Sequence, residues 1–139
     1  MHPSNTMYRL ATAADEPELL TWPEGLLPRR FPTVIAERDG EIIGYLGTHD
    51  RDDCILAGPM EVRLENERAK GLVALRLIEA YETVLLHAGI EFYFYGVHNG
   101  PWRDATERSP RTMLVYEDGD LGVFKRELPP IVPANRAVH

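Results

Sequence analysis

The segment from Asn66 to Ala88 is the longest apolar-periodic run of the chain, and the rest must fold around it. Its polar residues Arg76, Glu79, Thr83 and His87 recur at helical spacing and share one stripe. Leu72, Val73, Ala74, Leu75, Leu77, Ile78, Ala80, Tyr81, Val84, Leu85 and Leu86 fill the other sides. That pattern predicts a core helix with a narrow solvated edge, ended by Gly89. His87 belongs to the edge rather than to a ligand set. Just before the helix, a short apolar run through Met60, Val62 and Leu64 gives way to a turn holding Arg68, Lys70 and Gly71. A strand end, a basic turn and a helix N-terminus together make an anion site. The first N–H groups of a helix lack intrahelical partners, and the helix dipole adds positive potential. A phosphate or pyrophosphate is the usual guest. An ordinary helix start with solvated cations carries the same residue types.

Length and charge narrow the classes. A chain of 139 residues has room for one domain with a real core. No apolar run approaches the roughly 20 residues needed to span a bilayer. The first residues lack signal-peptide character, so a cytoplasmic protein is expected. A formal charge of −7 argues against general nucleic-acid affinity. The single cysteine, Cys54, allows no internal disulfide and no cysteine-based zinc site, and reads as a small buried strand residue. The five histidines are scattered, and no metal site is expected.

The remaining elements follow in order. Met7 to Ala11 reads as a strand. Asp15 reads as a helix N-cap, with Glu18 completing a capping box and Pro17 in the first turn. Residues 23–32 are a Pro/Gly loop carrying Arg29 and Arg30. Thr33–Glu37 and Glu41–Thr48 are strands joined by the Arg38-Asp39-Gly40 turn. Cys54–Val62 is a strand that Gly58-Pro59 must bulge or break. Ile90–Val97, with Phe92, Tyr93, Phe94 and Tyr95, reads as a central strand covered on both faces. Residues 101–108 suit a short helix that Pro110 stops, and Arg111–Tyr116 and Leu121–Leu128 form a closing hairpin. Residues 129–139, with three prolines, read as a tail. Ile131 and Val132 suggest that it docks on its own sheet or on another subunit; a disordered terminus is the alternative.

With that order of elements, residues 7–128 resemble the GNAT superfamily of acetyl-CoA-dependent N-acyltransferases. The resemblance rests on the hairpin Val34-Ile35-Ala36-Glu37-Arg38-Asp39-Gly40-Glu41-Ile42-Ile43-Gly44 and on the long helix ending in Ala88-Gly89. It rests also on Arg68-Ala69-Lys70-Gly71-Leu72-Val73, standing where the family has Gln/Arg-x-x-Gly-x-Gly/Ala, and on Asn99 after the aromatic strand. It implies an α+β, α/β-like GNAT fold in one domain over residues 1–128: a mixed central sheet of about six to seven strands with helices on both faces.

The resemblance also implies a mechanism. Val62, Arg63 and Leu64 would pair with the pantetheine arm of acetyl-CoA. The backbone of Arg68, Ala69, Lys70, Gly71, Leu72, Val73 and Ala74 would hold the pyrophosphate, with Asn99 as a further cofactor contact. A backbone N–H near Val62 would stabilise the oxyanion. Glu61 and His98 are the candidate general bases for an unidentified amine acceptor on a small molecule or protein. Tyr93, Tyr95 and Tyr116 are candidate proton donors, though each suits a packed aromatic. Four features depart from the family. Val73 replaces a small residue, the loop before Arg68 is one residue longer, residues 101–108 lack the family's tyrosine acid, and Ser109-Pro110 stands where Gly-Phe often follows that helix. These departures keep open a catalytically inactive GNAT-fold binding or structural protein. Such short chains also occur in bacteriophage genomes. A homo-oligomer or partner protein would be engaged through the tail.

Overall fold

Local sequence signals place each element of the computed structural model, which describes residues 5–22, 32–49, 51 and 53–129. Strand β1 is Thr6–Leu10, followed by a 3-10 turn at Ala13–Asp15 and the short helix α1, Glu16–Leu19. Strands β2 (Val34–Arg38), β3 (Glu41–Thr48) and β4 (Leu56–Val62) lead into helix α2, Glu67–His87. Then come β5 (Phe92–His98), α3 (Pro101–Arg108), β6 (Thr112–Asp118) and β7 (Leu121–Glu127). The chain divides into two compact units, Met1–Val84 and Leu85–His139, with the boundary inside α2. The expected loop with Arg29 and Arg30 and the proline-rich tail fall, but for Pro32 and Pro129, outside the described residues. Among the described residues no helix is long and apolar enough to cross a membrane.

In the first unit the strands run β1-β2-β3-β4, each antiparallel to the next. Asp39 and Gly40 both adopt positive φ, 53° and 81°, as a two-residue hairpin turn with matching twist requires. Opposite Leu46–Thr48 the register slips at Gly58-Pro59, the expected bulge. Because side chains alternate, Ile35, Tyr45 and Glu61 share one face, and Ala36, Gly44 and Val62 the other. Leu19 and Trp22 pack against Ile35 and Tyr45 on the first face. On the second, Gly44 lets α2 approach: a Cβ there would lie 3.4 Å from the Leu77 side chain. Tyr81 reaches Thr48 at 2.7 Å, and Thr48 Oγ1 donates to the Pro32 carbonyl at 2.6 Å. Burial pushes the Tyr81 hydroxyl up to about 12.

Three details correct the expectation for this unit. Asp15 does not cap α1 with its side chain. It closes the preceding turn instead, accepting from the Thr12 N–H at 2.7 Å and from both Arg9 Nη atoms at 2.9 Å. Cys54 lies in a bend before β4, half-buried, so that strand starts later than expected. Along α2 the stripe Arg76, Glu79, Thr83 and His87 is exposed, as the spacing demands, but Leu72 and Leu75 are exposed beside it. The solvated edge is therefore wider than its polar residues alone indicate.

In the second unit α2 ends in a Schellman motif. Ile90 N–H donates to Leu85 O and Gly89 N–H to Leu86 O, both at 3.0 Å, with Gly89 at φ 79°. The strands run β5-β7-β6, all antiparallel. Within β5 only Tyr93 is buried, so the expectation of a strand covered on both faces fails. Its aromatics cover one another and borrow neighbours. Phe92 and Phe94 meet edge to face at 5.7 Å, Tyr95 stacks on Phe124 at 6.1 Å, and the Lys125 ammonium sits 4.4 Å over Phe92. Helix α3 occupies the span the sequence predicts.

Candidate functional site

The junction of β4 and α2 is built residue by residue from ladder and cap. Arg63 N–H donates to Ile43 O at 2.7 Å, carrying the ladder one residue past β4. Directly opposed residues in an antiparallel pair alternate between bonded and non-bonded. The Gly44–Val62 pair is thus the non-bonded kind, and the Val62 N–H and C=O point away from β3. Val62 itself is buried, and Leu64 half-buried. Glu61 and Arg63 share a face; Glu61 Oε2 lies 3.8 Å from Arg63 Nε, and the Arg63 guanidinium sits 3.6 Å over the Trp22 ring.

The basic turn is already helix. Arg68, Ala69, Lys70 and Gly71 all lie in the opening turns of α2, which starts at Glu67. Asn66 caps it: its Oδ1 accepts the Ala69 N–H and its carbonyl the Lys70 N–H, both at 2.9 Å. Beyond Lys70, helical geometry commits each N–H to the carbonyl four residues back. The donors left outside the ladder are the N–H groups of Asn66, Glu67 and Arg68, a smaller set than the Arg68–Ala74 backbone expected from sequence. Three bases, Arg63, Arg68 and Lys70, are matched here by three acids, Glu61, Glu65 and Glu67. An anion at this end would be held by directed N–H groups and the helix dipole rather than by net charge.

Val73 is 3% exposed and belongs to the core, as does Ala74. Its side chain does not crowd the helix start, and Val73→Gly would empty a core position instead of opening an anion site. A Cβ at Gly71 would meet nothing within 4 Å, so that glycine is not required by packing.

The second unit places His98 at the end of β5, exposed, with Nδ1 3.2 Å from Asp120 Oδ1. Asn99 follows. Its N–H donates to Asp120 O at 3.0 Å and its Oδ1 accepts from Arg103 Nη1 at 2.9 Å. Arg103 is buried and gathers the whole end of this unit. It also donates to Asp120 O at 3.3 Å, to Glu107 at 3.3 Å and to Glu117, and lies over the Phe124 ring. Gly122 makes room for it: a Cβ there would stand 3.0 Å from Arg103 Cζ. Asn99 therefore serves this network in the structure. Of the candidate tyrosines, Tyr95 donates to Thr106 Oγ1 at 3.2 Å and Tyr93 is buried, but Tyr116 is exposed on β6 and is not a packed aromatic.

Asp120, Arg103 and Asn66 escaped the sequence reading. Asn66 had a visible signal, an Asn directly before a long helix. The other two had none, because their partners come together only through the β5–β7 and β6–β7 registers.

No protein-family model matches the chain, and no curated protein matches its sequence. Solved structures do. The ribosomal-protein-S18-alanine N-acetyltransferase of Escherichia coli superposes with a TM-score of 0.68 at 13% identity, covering 94% of this chain and 97% of that one. The Salmonella typhimurium protein YncA, solved with its cofactor acetyl-CoA, gives 0.62 at 14% identity, with 94% and 98% covered. The ribosomal-protein-alanine N-acetyltransferase of Brucella melitensis gives 0.55 at 19%, with 88% and 99% covered. These likenesses extend over almost the whole of each neighbour, and the chain has the α+β GNAT fold.

Proposed function

We propose that residues 1–128 act as one GNAT domain, an acetyl-CoA-dependent N-acetyltransferase for an amine of a small molecule or protein. The observation that carries this reading is the β4–α2 junction. Val62 turns its N–H away from β3, and the N–H groups of Asn66, Glu67 and Arg68 stand outside the α2 ladder. The fit to acetyl-CoA is partial, since Asn66 already uses the Ala69 N–H. Acetyl-CoA would supply an activated acetyl thioester. In this proposal Val62, Arg63 and Leu64 line its arm, Arg68 and Lys70 flank the phosphates with Gly71 between the helix turns, and Asn99 positions the end of β5. His98 is the base we favour. With Nδ1–H donated to Asp120, its Nε2 is left to take a proton from the incoming ammonium. Glu61 is the alternative base, on the same face as Arg63.

Calorimetric titration of the full chain with acetyl-CoA and with CoA tests the binding step. Saturable binding of both supports the reading, and its absence at millimolar ligand rejects it. A second reading, a GNAT-fold binding protein without turnover, is favoured by the Asn66 cap and by the balance of acids and bases at the helix start. Binding without thiol release across a panel of primary amines would decide for it.

A further inference from the structure

Strand β6 is the outer strand of the second unit, and it is apolar where edges usually carry charge. Four successive residues, Met113, Leu114, Val115 and Tyr116, are each 41–60% exposed. Consecutive exposure on both sides of a strand follows from two facts. Among the described residues β6 pairs with β7 on one side only, and its register against β7 slips between Leu114 and Tyr116, leaving Val115 as an extra residue. Natural edges are blunted by charged side chains placed along them, since unpaired N–H and C=O groups otherwise invite another strand. Here no charge interrupts the run from Thr112 to Tyr116. The charges sit at its ends and are opposite in sign: Arg111 before it, and after it Glu117, which is paired with Arg103, and Asp118, all three exposed.

We infer that β6 is the contact surface for a second copy of this chain, paired antiparallel across a two-fold axis. An isologous contact must be complementary to itself. Antiparallel pairing centred on the apolar run sets Arg111 of each copy beside Asp118 of the other, whereas parallel pairing sets like charges together. Opposite charges across a strand pair are favourable and like charges unfavourable. The chain's own residues 130–139 suit this edge less well. They contain no acid to meet Arg111, and Pro130 and Pro133 have no N–H to give a ladder. The inference does not depend on the proposed enzymatic function.

The test is sedimentation of the full-length chain over a wide concentration range. The mass should rise from 15.8 kDa toward twice that value. Asp118→Arg and Arg111→Asp should each move the dimerisation midpoint about tenfold or more upward in concentration, and the double charge swap should bring it back. Both positions are exposed, and an unchanged circular dichroism spectrum shows each variant folded. A third variant, Val115→Lys, places a charge in the apolar run and should also give monomer. A monomer at every concentration overturns the inference. So does a dimer indifferent to both charge reversals. Dimerisation seen only after removal of residues 130–139 overturns it too, because that segment would then be the natural occupant of the edge.

Discussion

The two units bury different things. In the first, the core against one face of the strands is Leu19, Trp22, Ile35 and Tyr45, with Trp22 and Tyr45 meeting edge to face at 5.1 Å. Its main ion pairs lie outside that cluster and join the partly exposed Arg9 to the buried Asp15 and to Glu37. In the second, Leu85, Tyr93, Phe124 and Leu128 are buried, and a guanidinium is buried with them. Arg103 is 7% exposed and ties α3, the end of β5 and the β6–β7 hairpin together through four partners. Apolar burial is non-directional and tolerates small shifts. A hydrogen-bonded arginine hub is directional, and it fixes the positions of the groups around it. The second unit thus adds to its apolar core a directional placement of Asn99 and Asp120, beside His98.

The largest effect should come from the apolar side of the contrast. Trp22→Ala removes a side chain that is 2% exposed and also strips the surface under Arg63. Loss of a buried Trp costs about 3–5 kcal/mol, read as a lower urea midpoint. A cost below about 1 kcal/mol would mean the first unit does not lean on this cluster.

Arg103→Met tests the polar side. Methionine keeps an unbranched stem over Phe124 and loses every donor. Amide exchange should accelerate through Asn99–Arg108 and at Asp120, while Val34–Thr48 keeps its protection. Equal acceleration in both segments would erase the distinction between the two ways of holding a unit together.

Asp15 gives the pH-dependent version. The Arg9 guanidinium holds its carboxyl down to about 2, against the tendency of burial to raise it. A carboxyl depressed on folding stabilises the fold above its unfolded value near 3.8 and loses that contribution as pH falls toward 2. Asp15→Asn should cost about 1–2 kcal/mol at neutral pH, discounted for the partial exposure of Arg9. The gap from the parent chain should narrow between pH 4 and pH 2. A gap that stays constant over that window would assign the loss to the Thr12 N–H contact rather than to charge.

The same contrast explains what could be read in advance. The Asp39-Gly40 turn, the Gly58-Pro59 bulge, the helix ending at Gly89 and the helix over residues 101–108 are local events, and local chemistry determines them. The GNAT-like order of elements followed from these. The aromatic strand misled because a run of Phe and Tyr reads the same whether buried by neighbouring layers or by stacking and a lysine stem. Arg103 looked like one more helix charge, because nothing at its position announces Glu117 fourteen residues on or the space left by Gly122. At the candidate site the strand end and helix start were legible. Which N–H groups the helix leaves over was not, since that depends on the residue at which the first turn closes. Val73 looked like an obstacle to a ligand for the same reason, although its side chain faces the core.

The smallest expected effect is at Asn66, whose side chain satisfies the backbone of its own helix start. Replacing an N-cap Asn by Gly costs only a few tenths of a kcal/mol, because solvent reaches the freed donor. Asn66→Gly should therefore leave the melting temperature nearly unchanged. It also returns the Ala69 N–H to the unpaired set beside Glu67 and Arg68, adding one donor aimed along the helix axis. If acetyl-CoA places its phosphates there, affinity should rise about two- to tenfold, the worth of one added hydrogen bond. Asn66→Asp is the matched control. It keeps the cap but sets a carboxylate where a phosphate would sit, and it should weaken binding while holding or raising stability. A Gly variant with unchanged affinity and an Asp variant that binds as well as the parent would place the phosphates elsewhere. The start of α2 would then be a capped helix end with no ligand to hold.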